Sequence, residues 1–386
     1  MLRDRNALTT VLGIDNRSDE IALVSGTVRH IENFFIDNRG GLTARPELTL
    51  VSAGEAKYHS PHRTSAGQVL CMKGAALVEL VDGQEVERAR HIDGGESGVL
   101  YAEQNNRVFI GCGARVYMYA DDQLTPLGSL RPTICDVVVS TDTPHLPRGS
   151  YAIAVTALSS TGDESPPMYL GDIQSDGQHS YSVSTPHEVV VYSTPVNGGQ
   201  YMRQDGVAVT GQLGAPMTTE DLEIQPAGEA MGFYKSRLVT ACSGFIMFGE
   251  PFDIGYFRPS EGIVPIEGEL RMLACLDDAV FYADGAGTWV LRGDELDKLV
   301  RERVSAPRAM FCKAARLRAT DFSSKVVPET AGDVVVWLSE SGYVVGMSNG
   351  SVVLLQDQRI RLPESSSSCV GVVTTGTHLS VISGMQ

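Results

Sequence analysis

Short apolar runs alternate along this chain with glycine- or alanine-containing turns, and the alternation recurs. Gln68–Met72 and Leu77–Leu80 flank Lys73-Gly74-Ala75-Ala76, and Arg107–Ile110 and Arg115–Tyr119 flank Gly111-Cys112-Gly113-Ala114. Arg237–Thr240 and Phe245–Phe248 flank a turn with Ser243-Gly244. Ala279–Tyr282 and Thr288–Leu291 flank Ala283-Asp284-Gly285-Ala286-Gly287. Asp333–Trp337 passes through Ser341-Gly342 to Tyr343–Met347, then through Asn349-Gly350 to Ser351–Leu355. β-Branched and aromatic residues between turns predict β-hairpins.

The spacing of the hairpins predicts how they assemble. Val69 and Val108 are 39 positions apart, and Leu238 and Val280 are 42 apart. Val280 and Val335 are 55 apart, one period plus an excursion that reads as helical. Periods of about 40 to 50 residues with several strands each are those of propeller blades. A blade cannot cover both its faces alone, and packing blades about an axis covers them and protects the sheet edges. The expected fold class is all-β, a β-propeller-like repeat of five to seven hairpin blades. An open array of sheets or a sandwich is the alternative.

One interval is too long, because Val108 and Leu238 are 130 positions apart. The excess, 131–218, carries strands such as Gly149–Ala157 and Glu188–Tyr192. The turns Ser159–Pro166 and Asn197-Gly198-Gly199 punctuate it. This pattern predicts an inserted immunoglobulin- or fibronectin-like β-sandwich. The expected organisation is 1–130 as the first part of the propeller, 131–218 as the insert and 219–386 as the second part. One helix is expected over Asp294–Val304. Acidic residues lead and basic residues trail there, and Leu296, Leu299 and Val300 share a helical face.

Composition narrows the function. With 31 basic against 47 acidic residues, the net charge of −16 argues against a protein that grips nucleic acid over its whole surface. The amino terminus lacks the apolar run of a signal peptide, and no run of eighteen apolar residues suggests a membrane span. The seven cysteines are scattered without a C-x-x-C pair, which predicts reduced thiols and synthesis in a reducing cytoplasm.

No catalytic, cofactor or metal constellation emerges. Gly346-Met347-Ser348-Asn349-Gly350 matches G-x-S-x-G, but a strand follows where that chemistry needs a helix. Gly285-Ala286-Gly287 and Gly111-Cys112-Gly113 lack the third glycine of a dinucleotide loop and lead into strands. His59 and His62 lack further metal ligands at suitable spacing and read as a solvated loop. Asp121-Asp122 and Asp277-Asp278 read as hairpin turns, with a calcium site as the alternative. Arg292-Gly293-Asp294 reads as a turn from strand to helix, and Trp289 and Trp337 as core residues. The chain is expected not to be an enzyme and to carry no cofactor.

The N-terminal segment is more distinctive. Gly13-Ile14-Asp15-Asn16-Arg17 precedes Val28-Arg29-His30-Ile31-Glu32-Asn33-Phe34-Phe35-Ile36-Asp37-Asn38-Arg39-Gly40-Gly41-Leu42-Thr43-Ala44-Arg45-Pro46. This resembles a family of phage virion proteins, the tail-hub or nozzle proteins of short-tailed phages. In that family a "G-I-N-N" start precedes an "x-N-x-x-I-D-x-x-G-x-L-x-x-R-P-G" strand pair. The insert's Gly149-Ser150-Tyr151, Gly162-Asp163-Glu164-Ser165 and Val191-Tyr192-Ser193 extend the likeness, as does Arg237-Leu238-Val239 followed by Glu250-Pro251. Glu47 stands where glycine usually follows Arg-Pro, and the chain stops at Gln386 with little length for a last blade. Leu8–Leu12 is expected to complete that sheet.

The resemblance implies a propeller with a fibronectin-like insertion, assembled with copies of itself into a ring of six around the DNA exit channel of a virion tail. Its partners would be adaptor or connector proteins and tail fibres. DNA would pass without sequence-specific binding, and no membrane insertion is implied. A receptor- or glycan-binding propeller of the tail tip or fibre is a competing reading, and a hydrolase on a propeller scaffold a third.

Overall fold

A computed structural model describes residues 13–19, 22–31, 34–36, 40–44, 57–159, 162–322, 327–328, 332–355, 368–375 and 378–385. Of six four-stranded antiparallel sheets among the described residues, five are blades whose strands lie side by side in chain order. The first blade is Tyr58–Arg63, Val69–Lys73, Ala76–Val81 and Gln84–Ala89. The second is Leu100–Gln104, Arg107–Cys112, Arg115–Ala120 and Gln123–Pro126. The third is Ala230–Tyr234, Arg237–Cys242, Phe245–Phe248 and Ile263–Pro265. The fourth is Met272–Cys275, Val280–Ala283, Thr288–Arg292 and Val300–Arg303. The fifth is Ala315–Arg318, Asp333–Ser339, Gly342–Met347 and Val352–Leu354. A three-stranded sheet follows, in which Cys312–Lys313 pairs parallel to Ser368–Thr375 and His378–Met385 returns antiparallel.

The expected hairpins form the middle of each blade, where both faces are covered and both edges paired. Each seam between neighbouring blades has its own apolar core. Leu70, Met72 and Leu77 of the first blade pack with Val108 and Ile110 of the second, and Phe109 of the second packs with Phe233 and Leu238 of the third. Val239, Ile246 and Phe248 meet Leu273, Val280 and Tyr282 of the fourth, and Phe281 meets Trp337 and Val345 of the fifth. Packing of sheet face against sheet face around a series of blades makes this an all-β, propeller-like protein.

The seams leave little room. A Cβ at Gly346 would lie 2.8 Å from ring carbons of both Phe281 and Trp337, so only glycine lets the fourth and fifth blades close on each other. A Cβ at Gly232 would lie 2.7 Å from Cys275 Sγ, where the first strands of the third and fourth blades approach. Burial pushes the Cys275 thiol up to about 12. Cys71, Cys112, Cys135, Cys242, Cys275 and Cys312 are all free thiols.

The predicted helix over Asp294–Val304 is not formed. A single 3-10 turn, Leu296–Lys298, leads into Val300–Arg303, which pairs antiparallel with Thr288–Arg292. The fourth blade needs an outer strand to satisfy the free edge of Thr288–Arg292, and this pairing outweighs the local helical pattern. Leu296 and Leu299 pack on the core between the third and fourth blades.

Between the second and third blades, seven strands form two sheets. Asp136–Ser140, Ser180–Ser184 and Ala208–Val209 make one. Met168–Ser175, Gly149–Ala157, Val189–Ser193 and Met202–Arg203 make the other, in that order. The two share a core of Tyr151, Ile153, Val155, Tyr181, Val183 and Val191. Segments on either side of this sandwich are tied to the third blade. Glu223–Ile224 pairs with Tyr256–Phe257, and the Tyr256 hydroxyl accepts a hydrogen bond from Ser129 N at 2.6 Å.

Gly13–Ile14 pairs parallel with Thr27–Val28, and Phe34–Ile36 antiparallel with Leu42–Ala44. Asp15 is buried and caps a turn, accepting from Arg17 N at 3.1 Å, Ser18 N at 3.0 Å and Ser18 Oγ at 2.8 Å. The strand expected at Leu8–Leu12 lies outside the described residues, as do 20–21, 32–33, 37–39 and 45–56 of the N-terminal segment and Ser160-Thr161 of the sandwich turn. Among the described residues, no helix is long and apolar enough to cross a membrane.

Candidate functional site

The seam between the first and second blades carries an unusual concentration of polar side chains beside its apolar core. Glu79 sits in the run Leu77-Val78-Glu79-Leu80 and is 5% exposed. A buried carboxylate is costly unless paired and hydrogen-bonded. Arg88, on the neighbouring strand of the same blade, supplies the pair through Nε at 2.8 Å and Nη2 at 2.7 Å, and Gln68 Nε2 donates to Glu79 at 3.2 Å. Arg88 then reaches across the seam to Asp122 at 3.1 Å, and the Tyr119 hydroxyl donates to Asp122 at 3.0 Å. Glu79 holds the Arg88 guanidinium charged, and burial together with the bond to Asp122 pushes the Tyr119 phenol up.

Beside this network lies a cavity of about 380 Å³ lined by Gln68, Asn106, Val108, Tyr119, Ala120, Asp121 and Asp122. It is built from two tight hairpin turns, Asn105-Asn106 and Asp121-Asp122. All four residues have positive φ, at 50°, 60°, 49° and 60°.

A second cluster lies where innermost strands approach. The strand Tyr58–Arg63 bulges between His59 and His62, with Ser60 at φ 48°. His62 stacks on Tyr101 with ring centroids 4.6 Å apart and planes 5° from parallel. Its Nε2 lies 2.8 Å from Glu103 Oε1, and Glu103 Oε2 accepts from Ser65 N at 2.8 Å. Burial acts to raise the Glu103 carboxyl, but the bonds from His62 and Ser65 prevail and hold it below the usual range. Lys313 Nζ lies 5.6 Å from the Tyr101 ring centre. Lys313, an exposed residue, belongs to the three-stranded sheet and Tyr101 to the second blade, so the two elements approach each other here. The Tyr101 hydroxyl is buried with no hydrogen-bond partner among the described residues, and burial raises its phenol.

The sequence reading of His59 and His62 as a solvated loop is therefore corrected. They lie on the first blade's first strand, half-buried, and His59 Nε2 is 3.0 Å from Gly74 O. Pro61 and the polar neighbours disguised a strand whose bulge absorbs the proline.

Other singled-out residues are turns and core. Gly346 and Met347 end a strand, and Ser348-Asn349-Gly350 turns into Val352–Leu354, so no nucleophile elbow forms. Gly285-Ala286-Gly287 is a hairpin turn held by Asp284, which accepts from Ala286 N, Gly287 N and the Trp289 indole at 2.9, 3.0 and 3.1 Å. Arg292-Gly293-Asp294 joins the third and fourth blades, since the Tyr234 hydroxyl donates to Gly293 O at 2.5 Å and Lys235 pairs with Asp294. Asp277 pairs with Arg316 at 3.2 Å. Trp337 is fully buried, whereas Trp289 is half-buried beneath Arg301, whose guanidinium carbon is 4.0 Å from its ring centre. Among the described residues, no group of three or more His, Cys, Asp or Glu side chains could hold a metal ion.

Sequence reasoning missed Glu79, Arg88 and Glu103. The signal for Glu79 was present, because a carboxylate inside an apolar run requires a buried partner. Arg88 and Glu103 are recognisable only once the blades are paired.

No protein-family model matches the sequence, and no curated protein matches it. Among solved structures, the chain is similar to the Pan2 WD40 domain of Neurospora crassa, with TM-score 0.34, 12% identity, and 84% of this chain and 86% of that one covered. It is similar to YCF48 bound to D1 peptide, with TM-score 0.20, 17% identity and coverage of 78% and 93%. It is also similar to the extracellular domain of a one-component system from B. thetaiotaomicron, with TM-score 0.25 and 10% identity over 93% of this chain. There it spans 49% of the other chain, about half its length.

Proposed function

We propose that this chain is a structural component of a phage tail, forming a ring, the tail hub or nozzle, around the DNA exit channel. The observation that carries the reading is the order of parts. A motif-bearing N-terminal segment is followed by two blades, a two-sheet sandwich, three further blades and a last three-stranded sheet. The family resembled by residues 13–46 carries its fibronectin-like insertion in the same way. Asp15, which stands where the resembled motif has asparagine, is buried and caps the turn that follows Gly13–Ile14.

The contact between Lys313 and Tyr101 bears on where DNA would travel. With Lys313 Nζ 5.6 Å from the Tyr101 ring, no duplex fits between these two elements, since its major groove alone is about 12 Å wide. The channel in this proposal is therefore enclosed by several copies, not by one propeller. A heterologous contact that closes on itself gives such a ring, six copies in the resembled family. The charge of −16 supports a lumen that repels phosphate, so that DNA passes without sticking. The ring would join adaptor or connector proteins on one side and tail fibres on the other, inside the virion.

The reading is tested by labelling virions with an antibody raised against this chain. Label confined to the tail is the expected result. Virions that lack the chain, or carry it only on the capsid, would overturn the proposal.

A further inference from the structure

Beyond any role in a ring, we propose that Asn349 is a self-modification site, where the folded chain promotes loss of the side-chain amide through a cyclic imide with Gly350. Asparagine precedes glycine twice in the sequence, at Asn197-Gly198 and Asn349-Gly350. The second pair lies in the turn between Gly342–Met347 and Val352–Leu354 of the fifth blade, the turn whose G-x-S-x-G pattern makes no nucleophile elbow.

In this reaction the backbone nitrogen of the glycine loses its proton to solvent and attacks the asparagine side-chain carbon Cγ. The new N–Cγ bond closes the imide, and the Cγ–Nδ2 bond breaks to release ammonia. Water then opens the imide to aspartate or isoaspartate. Negative charge develops on two oxygens along the way. Deprotonation of the glycine nitrogen spreads charge onto the oxygen of the same peptide, and attack places charge on the side-chain oxygen. Donors already in place at those two atoms lower the barrier.

The structure supplies both at Asn349. Arg292 Nη1 donates to Asn349 O, the oxygen conjugated with Gly350 N, at 2.8 Å. The guanidinium lies against this peptide, since a Cβ at Gly350 would be 3.0 Å from Arg292 Nε and 3.2 Å from Cζ. Ser351 N and Ser351 Oγ both donate to Asn349 Oδ1, at 2.9 and 2.6 Å. This Asx turn folds the side-chain carbonyl back toward the peptide that contains Gly350 N. Asn349 is exposed, so water and hydroxide reach it. The product also suits its surroundings, because Arg292 Nε is buried with no partner among the described residues and lies against Gly350.

Asn197 has the same following residue and neither feature. Its Oδ1 accepts from Ser150 N at 3.1 Å, which commits the side chain to the strand Gly149–Ala157. Among the described residues, no cation donates to Asn197 O. One obstacle is common to both pairs and does not separate them. Gly350 N is held to Met347 O at 2.8 Å and Gly198 N to Pro195 O at 2.9 Å, and each bond must open before attack.

Peptide mass spectrometry of the full chain, incubated at mildly alkaline pH both folded and in urea, tests this by following each asparagine. In the folded protein Asn349 is expected to convert about tenfold faster than Asn197, the effect of one hydrogen bond to a charged group. In urea the two rates are expected to converge. Ser351→Ala and Arg292→Gln are each expected to bring the folded-state ratio toward unity. Ser351 is exposed, and unchanged thermal unfolding of Ser351→Ala separates loss of the donor from loss of fold. Equal conversion of the two asparagines in the folded protein, a ratio in urea as large as the folded one, or a ratio that survives both substitutions would overturn the proposal. None of these outcomes depends on ring assembly.

Discussion

At the scale of single residues, stability concentrates where two blades meet with no space between them. Gly346 faces Phe281 and Trp337 at 2.8 Å, and neither ring can retreat because both are fully buried. Gly346→Ala is expected to destabilise the protein by about 1 to 3 kcal/mol, the usual result of overpacking a core, as read by denaturant unfolding. Glu79 makes the complementary case. Glu79→Ala would leave Arg88 without the carboxylate oxygen that accepts two of its N–H groups in a partly buried position, and a loss of about 3 kcal/mol is expected. A change below about 0.5 kcal/mol would mean that water replaces the carboxylate freely. Cys275, half-buried against Gly232 with its thiol raised to about 12, is expected to be alkylated at neutral pH more slowly than an unperturbed thiol, and faster once the protein unfolds. Mass spectrometry after brief treatment with iodoacetamide reads this directly.

At the scale of elements, the middle strands of the blades were legible in the sequence and the inner and outer strands were not. Val69–Lys73, Val280–Ala283 and Asp333–Ser339 are buried on both faces and stand out as apolar runs. Gln84–Ala89 and Val300–Arg303 are edge strands, and their charges suit an exposed edge but erase the hydrophobic signal. The same charges made 294–304 resemble a helix, since local periodicity carries no information about which edge awaits a partner. The polar seam was hidden for a related reason, because His62 and Glu103 come from different blades and only pairing brings them together.

That His62–Glu103 contact predicts a pH dependence. The folded Glu103 carboxyl is held below its unfolded value of about 4.3, so its contribution is present above that pH and is lost as pH falls through the lower folded value. Glu103→Gln is therefore expected to flatten the acid limb of the stability curve below about pH 4.5 and to leave the alkaline limb unchanged. An unaltered acid limb in equilibrium unfolding would assign the acid sensitivity to other carboxylates.

At the scale of the whole molecule, the proposed role as a ring that lets DNA pass rests on the blade series, the sandwich and the excess of acidic residues. A net charge of −16 predicts that the purified protein does not retard duplex DNA in gel shift even at about 50 mM salt, where cation–phosphate contacts are strongest. In the proposed ring, the Lys313–Tyr101 contact places the DNA passage between copies. The claim that unites these features is ring assembly, and averaged electron-microscope images of the purified chain test it most directly. The account predicts closed rings of several copies around a central hole, with the sandwich visible as an arm on each. Single discs at every protein concentration, with no ring even in isolated tails, would contradict it.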